Sequence, residues 1–218
     1  MILIGRYRSP FTRRVAITLR HFDLEYEHRP LTAWNHLEEV RRYNPVGRVP
    51  SLVLDSGTVL FDSVAILDYI DHLVDPARAL LPSREPERHE VLRVVACGLG
   101  ALEKLTAWVY ETTMRPSEKV HGPWAAHNED QATSALTWLD ARPGKLWLAL
   151  DRFTQADVTA VSLFDFAQLV NPALVTPGRF PRLDALSKHC NTLTEFALTK
   201  PGIDVGMTTP SVRGRFAR

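Results

Sequence analysis

Cysteine is scarce: the 218 residues include two, Cys97 and Cys190, with no CxxC pair. That excludes a disulfide-dense secreted scaffold, although one bridge stays open. Neither sign of charge is in excess, with 26 Lys+Arg against 25 Asp+Glu for a net charge of +1. A general nucleic-acid binder carries a strong basic surplus, so none is expected here. The eight histidines form no HExxH motif and no Cys/His cluster, and no metal site is expected. No apolar run reaches the length of a membrane span, and the opening Met1-Ile2-Leu3-Ile4 is too short for a signal peptide. GxxxxGK[ST] and GxSxG are missing, which leaves P-loop and common serine-hydrolase readings without support. What is present is ordinary globular usage, 45% hydrophobic and 23% charged. A chain of this length can bury a large core without staples. A soluble protein of a reducing compartment, the cytoplasm, is the expectation.

The first part of the chain alternates two periodicities. Ile2 to Ile4 is a strand-like run, and Phe11, Val15, Leu19 and Phe22 lie on one face of a helix. Leu24 to His28 reads as a second strand and Leu37 to Tyr43 as a second helix. Ser51–Leu54 and Thr58–Phe61 flank Asp55-Ser56-Gly57, a hairpin signal. Ile66, Ile70, Leu73 and Val74 predict the apolar face of a further helix. The order β-α-β-α-β-β-α gives an α/β unit with a mixed sheet over residues 1–76. Pro76, Pro82 and Pro86 read as a linker and a helix start. From residue 86 to 218 the pattern is all-helical. Val91, Val95, Gly98, Leu102, Leu105 and Val109 predict one long helix, and further helical runs fall near 124–141, 155–170 and 181–198. From Pro201 the chain reads as irregular.

Several short motifs offer chemistry. Ala96-Cys97-Gly98-Leu99-Gly100-Ala101-Leu102-Glu103 hints at a dinucleotide fingerprint, but its surroundings have helical period. Small residues for close helix packing are the better reading. Arg8-Ser9-Pro10-Phe11 falls between the first strand and helix. Serine is a favoured N-cap and proline a favoured first helical residue, so the Ser9 hydroxyl sits at the positive helix end as a plain cap or as a partner for an anion. Arg48-Val49-Pro50 precedes the third strand. Asp62-Ser63 joins the fourth strand to the next helix, either as a cap or as a polar site for the charged end of a small ligand. Phe153-Thr154-Gln155-Ala156-Asp157-Val158 is a capping box with a staple, expected to be structural. Trp108, Tyr110, Met114 and Trp124 could line a pocket, although aromatics at helical spacing more often form core.

Taken together, Ser-Pro-Phe after strand one, Val-Pro before strand three, the acid-Ser pair opening helix three and the Thr-x-x-Asp box resemble the soluble glutathione S-transferase family over nearly the whole chain. The resemblance implies a thioredoxin-like βαβαββα domain followed by a helical-bundle domain, and a homodimer. It implies glutathione as co-substrate, no other cofactor, and a small hydrophobic electrophile as second substrate in a detoxifying conjugation. By the same resemblance Ser9 matches the catalytic serine, with Tyr7 the alternative from other classes. Val49, followed by Pro50, matches the residue whose backbone pairs with the cysteinyl part of glutathione. Asp62 and Ser63 match the pair holding its γ-glutamyl end, and Phe11 and Arg48 lie where the family assists binding. Rival readings are a non-catalytic binding or stress-response protein and a glutathione-dependent isomerase, dehalogenase or peroxidase.

Overall fold

The computed structural model describes residues 1–202. Four short strands, β1 (Ile2–Ile4), β2 (Glu27–Arg29), β3 (Ser51–Val53) and β4 (Val59–Phe61), form one mixed sheet in the order β2-β1-β3-β4. β1 runs parallel to β2, while β3 is antiparallel to β1 and β4. Registers such as Leu3↔Leu52 and Leu52↔Leu60 set the two faces, because side chains alternate along each strand. Leu3 and Leu52 pack on one side with helices α1 (Pro10–His21) and α3 (Ser63–Asp71). Ile4 and Val53 turn to the other side, where they join Leu31 and Val40 of the short α2 (Leu37–Arg41). β2 lies later than expected, at Glu27–Arg29, since the pairing of Ile2 with Glu27 fixes its register and Leu24 belongs to the turn after α1.

The turn into α1 needs glycine. Gly5 has φ +130, and a Cβ there would lie 2.4 Å from the Thr12 hydroxyl oxygen. Ser9 then caps α1: its Oγ accepts from the Thr12 amide at 3.4 Å, with Pro10 opening the helix. Arg20 and His21 in the last turn suit its negative end.

The helical part consists of α4 (Glu87–Val109), α5 (Gly122–Asp140), α6 (Gln155–Val170), α7 (Pro181–Cys190) and α8 (Thr194–Ala197). Val91, Val95, Leu102 and Leu105 of α4 are buried as their spacing predicts. Gly98 lies inside that helix, and a Cβ on it would come 2.9 Å from the Thr159 methyl of α6. The glycines at 98 and 100 therefore serve no phosphate loop; Gly98 lets α4 approach α6. At its end α4 passes into one π-helical turn, Tyr110–Met114, where the Arg115 amide bonds the Tyr110 carbonyl at 3.2 Å. No described helix is long and apolar enough to cross a membrane.

α6 is the centre of this part, buried along almost its whole length. Its start has the reciprocal box: the Ala156 amide bonds the Thr154 hydroxyl, and the Asp157 carboxylate accepts from the Thr154 amide at 2.8 Å. The same carboxylate also receives the Leu148 amide at 2.8 Å. Burial pushes the Asp157 carboxyl up to about 6, against the pull of these hydrogen bonds.

Two expectations are corrected, and a third lies largely outside the described residues. The single helical run over 181–198 is two helices, broken at Asn191. That side chain accepts from Arg13 at 3.1 Å and donates to Asp165 at 3.0 Å. Leu73, read as part of the apolar face of α3, is exposed just beyond the helix end. The expected irregular tail begins with the turn at Pro201-Gly202, and the remainder lies outside the described residues.

Candidate active site

Ser9, Pro10, Phe11, Arg48 and Val49 converge on a cavity of about 360 Å³ between the sheet end and the helical part. Ser9 is half-buried there. Its Oγ is occupied as an acceptor by the Thr12 amide, which leaves the hydroxyl proton to donate. The positive end of α1 adds a fixed field at the same place. Val49 precedes Pro50 through a cis bond, and the Asn44 side-chain amide holds the Arg48 carbonyl at 3.0 Å.

The opposite wall comes from the helical part, through Thr106, Val109, Tyr110, Met114 and Phe166. Tyr110 and Met114 are exposed rather than core. Both lie off the helix face that carries Leu102 and Leu105, and they line the cavity, the other reading that the sequence offered for them. Trp124 is also exposed, stacked on His127, and neither it nor Trp108 lines the cavity. Trp34 meets Tyr110 edge-to-face at 5.2 Å across the opening. Trp34 and its loop neighbours Thr32 and Asn35 carry no sequence periodicity, so nothing local marked them. A large aromatic in a short polar connection was their one signal.

Asp62 and Ser63 stand apart from that cavity. Asp62 caps α3, accepting from the Val64 amide at 2.9 Å, with φ 67 and ψ 133. A positive φ is uncommon for aspartate and costs about 1–3 kcal/mol, a form of strain that collects at functional sites. Its carboxylate acts electrostatically on Arg48 and on Arg14, and with Arg14, Val64 and Asp68 it lines a separate pocket. Ser63 is buried, and its hydroxyl accepts from Arg14 at 3.2 Å. Burial lowers the Arg14 guanidinium to about 10, partly opposed by Asp62. Arg14 thereby positions the first residue of α3 from beneath.

Arg48 spans the two parts: it bonds Glu103 of α4 at 2.8 Å and lies over the Phe11 ring at 5.8 Å. The Glu103 hydrogen bond holds its pKa above the ordinary value. Tyr7 is buried, with its hydroxyl 2.9 Å from that of Tyr26 and its ring stacked on His28 at 4.1 Å. It does not line the cavity. Cys97 and Cys190 lie elsewhere, both with thiols pushed up by burial. Among the described residues no three of His, Cys, Asp and Glu converge as metal ligands.

Comparison with known proteins bears on this site. The family model of the glutathione S-transferase N-terminal domain matches residues 3–78. The chain is 35% identical over 208 residues to the GST-like protein YibF of Escherichia coli, covering 92% of this chain and 98% of that one. It is 30% identical over 195 residues to a maleylacetoacetate isomerase of Pseudomonas aeruginosa, 86% of this chain and 91% of the relative. A glutathione S-transferase of Methylobacterium radiotolerans, solved in complex with glutathione sulfonate, superposes with a TM-score of 0.86 at 25% identity over 98% of both chains.

Proposed function

The chain belongs to the glutathione S-transferase family, and from that premise we propose that it conjugates the glutathione thiol to small hydrophobic electrophiles. The observation that carries this reading is the shared cavity: Ser9 and Val49 on one wall, Tyr110, Met114 and Phe166 on the other. Glutathione lies on the unit spanning residues 1–76, and the electrophile against the helical unit from residue 86 onward. The Val49 backbone pairs with the cysteinyl residue, Asp62 takes the γ-glutamyl ammonium, and the start of α3 at Ser63 takes its carboxylate. Phe11 and Arg48 close the binding site at the rim. A cytoplasmic homodimer is part of the same reading.

Ser9 donates its free hydroxyl proton to the sulfur and so favours the thiolate. A free thiol titrates near 8.5, and lowering that by two units takes about 2.7 kcal/mol. A charge-assisted hydrogen bond of roughly 1.5–3 kcal/mol and the helix end together supply this. The sulfur then attacks the electrophilic carbon as its leaving group departs, while the thiol proton goes to solvent.

A second reading is glutathione-dependent isomerisation, favoured by the full-length similarity to a maleylacetoacetate isomerase. It uses the same thiolate, which adds to the substrate and leaves again. The experiment is a glutathione titration by calorimetry followed by a panel of electrophiles. Binding with adduct formation supports conjugation, binding with rearranged substrate and no net adduct supports isomerisation, and absence of binding refutes both in favour of a non-catalytic protein.

A further inference from the structure

We infer that the second substrate is anionic, a carboxylate on a flat apolar body, and that Arg8 and Arg6 select it. The inference rests on the cavity being the site of glutathione chemistry. Three arginines line that cavity, Arg6, Arg8 and Arg48, and no aspartate or glutamate does. Arg48 already has a counter-ion in Glu103. Arg8 is exposed and, among the described residues, makes no ion pair. Arg6 is half-buried, and its Nε is fully covered without a hydrogen-bond partner.

The planar fork of arginine matches a carboxylate bidentately. The same cavity is also lined by Trp34 and Tyr110, in edge-to-face contact, and by Met114. That surface suits a ring or unsaturated chain, not the polar peptide of glutathione. A cavity lined by both arginines and aromatics, with no carboxylate of its own, discriminates by charge, because a neutral electrophile leaves Arg8 without a counter-ion.

The test compares a chlorodinitrobenzoate with the matching chlorodinitrobenzamide. In both, the glutathione sulfur bonds to the ring carbon bearing chlorine, and chloride leaves with the bonding pair. The thiol proton is released to buffer. Rates are normalised to the uncatalysed reaction with glutathione, which removes the difference in intrinsic reactivity. Wild-type protein should prefer the carboxylate at least about tenfold in kcat/KM, a difference of about 1.4 kcal/mol. Arg8→Gln and Arg6→Gln should each reduce that ratio several-fold, through KM for the carboxylate.

A wild-type ratio near one, or an unchanged ratio in both variants, overturns the inference. So does equal slowing of both substrates with a raised pKa of the bound thiol, which would assign the arginines to the thiolate. If calorimetry finds no glutathione binding to wild-type protein, the proposed function itself fails, and the inference falls with it.

Discussion

Removal of the Asp157 carboxylate should strongly destabilise the protein without touching the chemistry. Asp157→Ala strands three donors at once: the Thr154 amide at 2.8 Å, the Thr154 hydroxyl at 3.0 Å and the Leu148 amide at 2.8 Å. All three contacts are buried, and an unsatisfied buried group costs about 1–3 kcal/mol. Relief of the desolvated carboxylate offsets part of this, leaving a loss of about 3–5 kcal/mol. A folded domain has only about 5–15 kcal/mol in hand. Thr154→Ala is the milder perturbation, removing one cap at about 0.5–2 kcal/mol. At roughly 2–4 °C per kcal/mol for a chain of this size, its Tm should fall by about 1–8 °C. Thermal melting read by circular dichroism, with calorimetric glutathione affinity at a temperature where both proteins are folded, checks the pair. Affinity should stay at the wild-type value. A variant that melts normally but binds glutathione weakly would refute a purely structural role for the box.

Three further outcomes follow. The stabilising contribution of Asp157 should depend on pH. Its folded-state carboxyl is pushed up to about 6 from an ordinary value near 3.9, so the folded state binds the proton more tightly. That contribution is fully present below about 4 and lost as pH rises through 6, so the wild-type advantage over Asp157→Ala in urea melts should be larger at the acid end. Asp62→Gly should keep or raise Tm, because glycine relieves the positive φ and costs only a few tenths of a kcal/mol as a cap. The same variant should weaken glutathione binding about tenfold or more, as measured by calorimetry. Asp165→Ala should lower stability by about 3–5 kcal/mol in urea, since it leaves the buried Arg13 guanidinium, now 2.5 Å from that carboxylate, without its counter-ion.

The elements whose signals are local were legible in the sequence. Alternation fixed β3 and β4 around Gly57, helical spacing found α1 and α4, and the Thr154–Asp157 box marked the start of α6 to the residue. Where a distant partner decides, the sequence was silent. Asn191 ends α7 because Arg13, far away in the chain, and Asp165 hold its side chain. Tyr110 and Met114 line the cavity rather than the core, and only the placement of the first unit's loops against α4 decides between those two readings. At the candidate site the short motifs around Ser9, Val49 and Asp62 stood out through helix and strand ends. Trp34, Arg6 and Phe166 reach the cavity only through tertiary folding.

The central claim is that the Ser9 hydroxyl sustains the thiolate of bound glutathione. Its most direct test is the pH dependence of ultraviolet thiolate absorbance for glutathione bound to wild-type, Ser9→Ala and Tyr7→Phe proteins. Ser9→Ala should raise the apparent thiol pKa by about one unit or more, which is about 1.4 kcal/mol or more of lost thiolate stabilisation, with glutathione still bound. Tyr7→Phe should leave the thiol pKa unchanged, because that hydroxyl is bonded to Tyr26 and Tyr7 does not line the cavity. An unaltered thiol pKa in Ser9→Ala, or a raised one in Tyr7→Phe alone, would contradict the account and move the role to Tyr7.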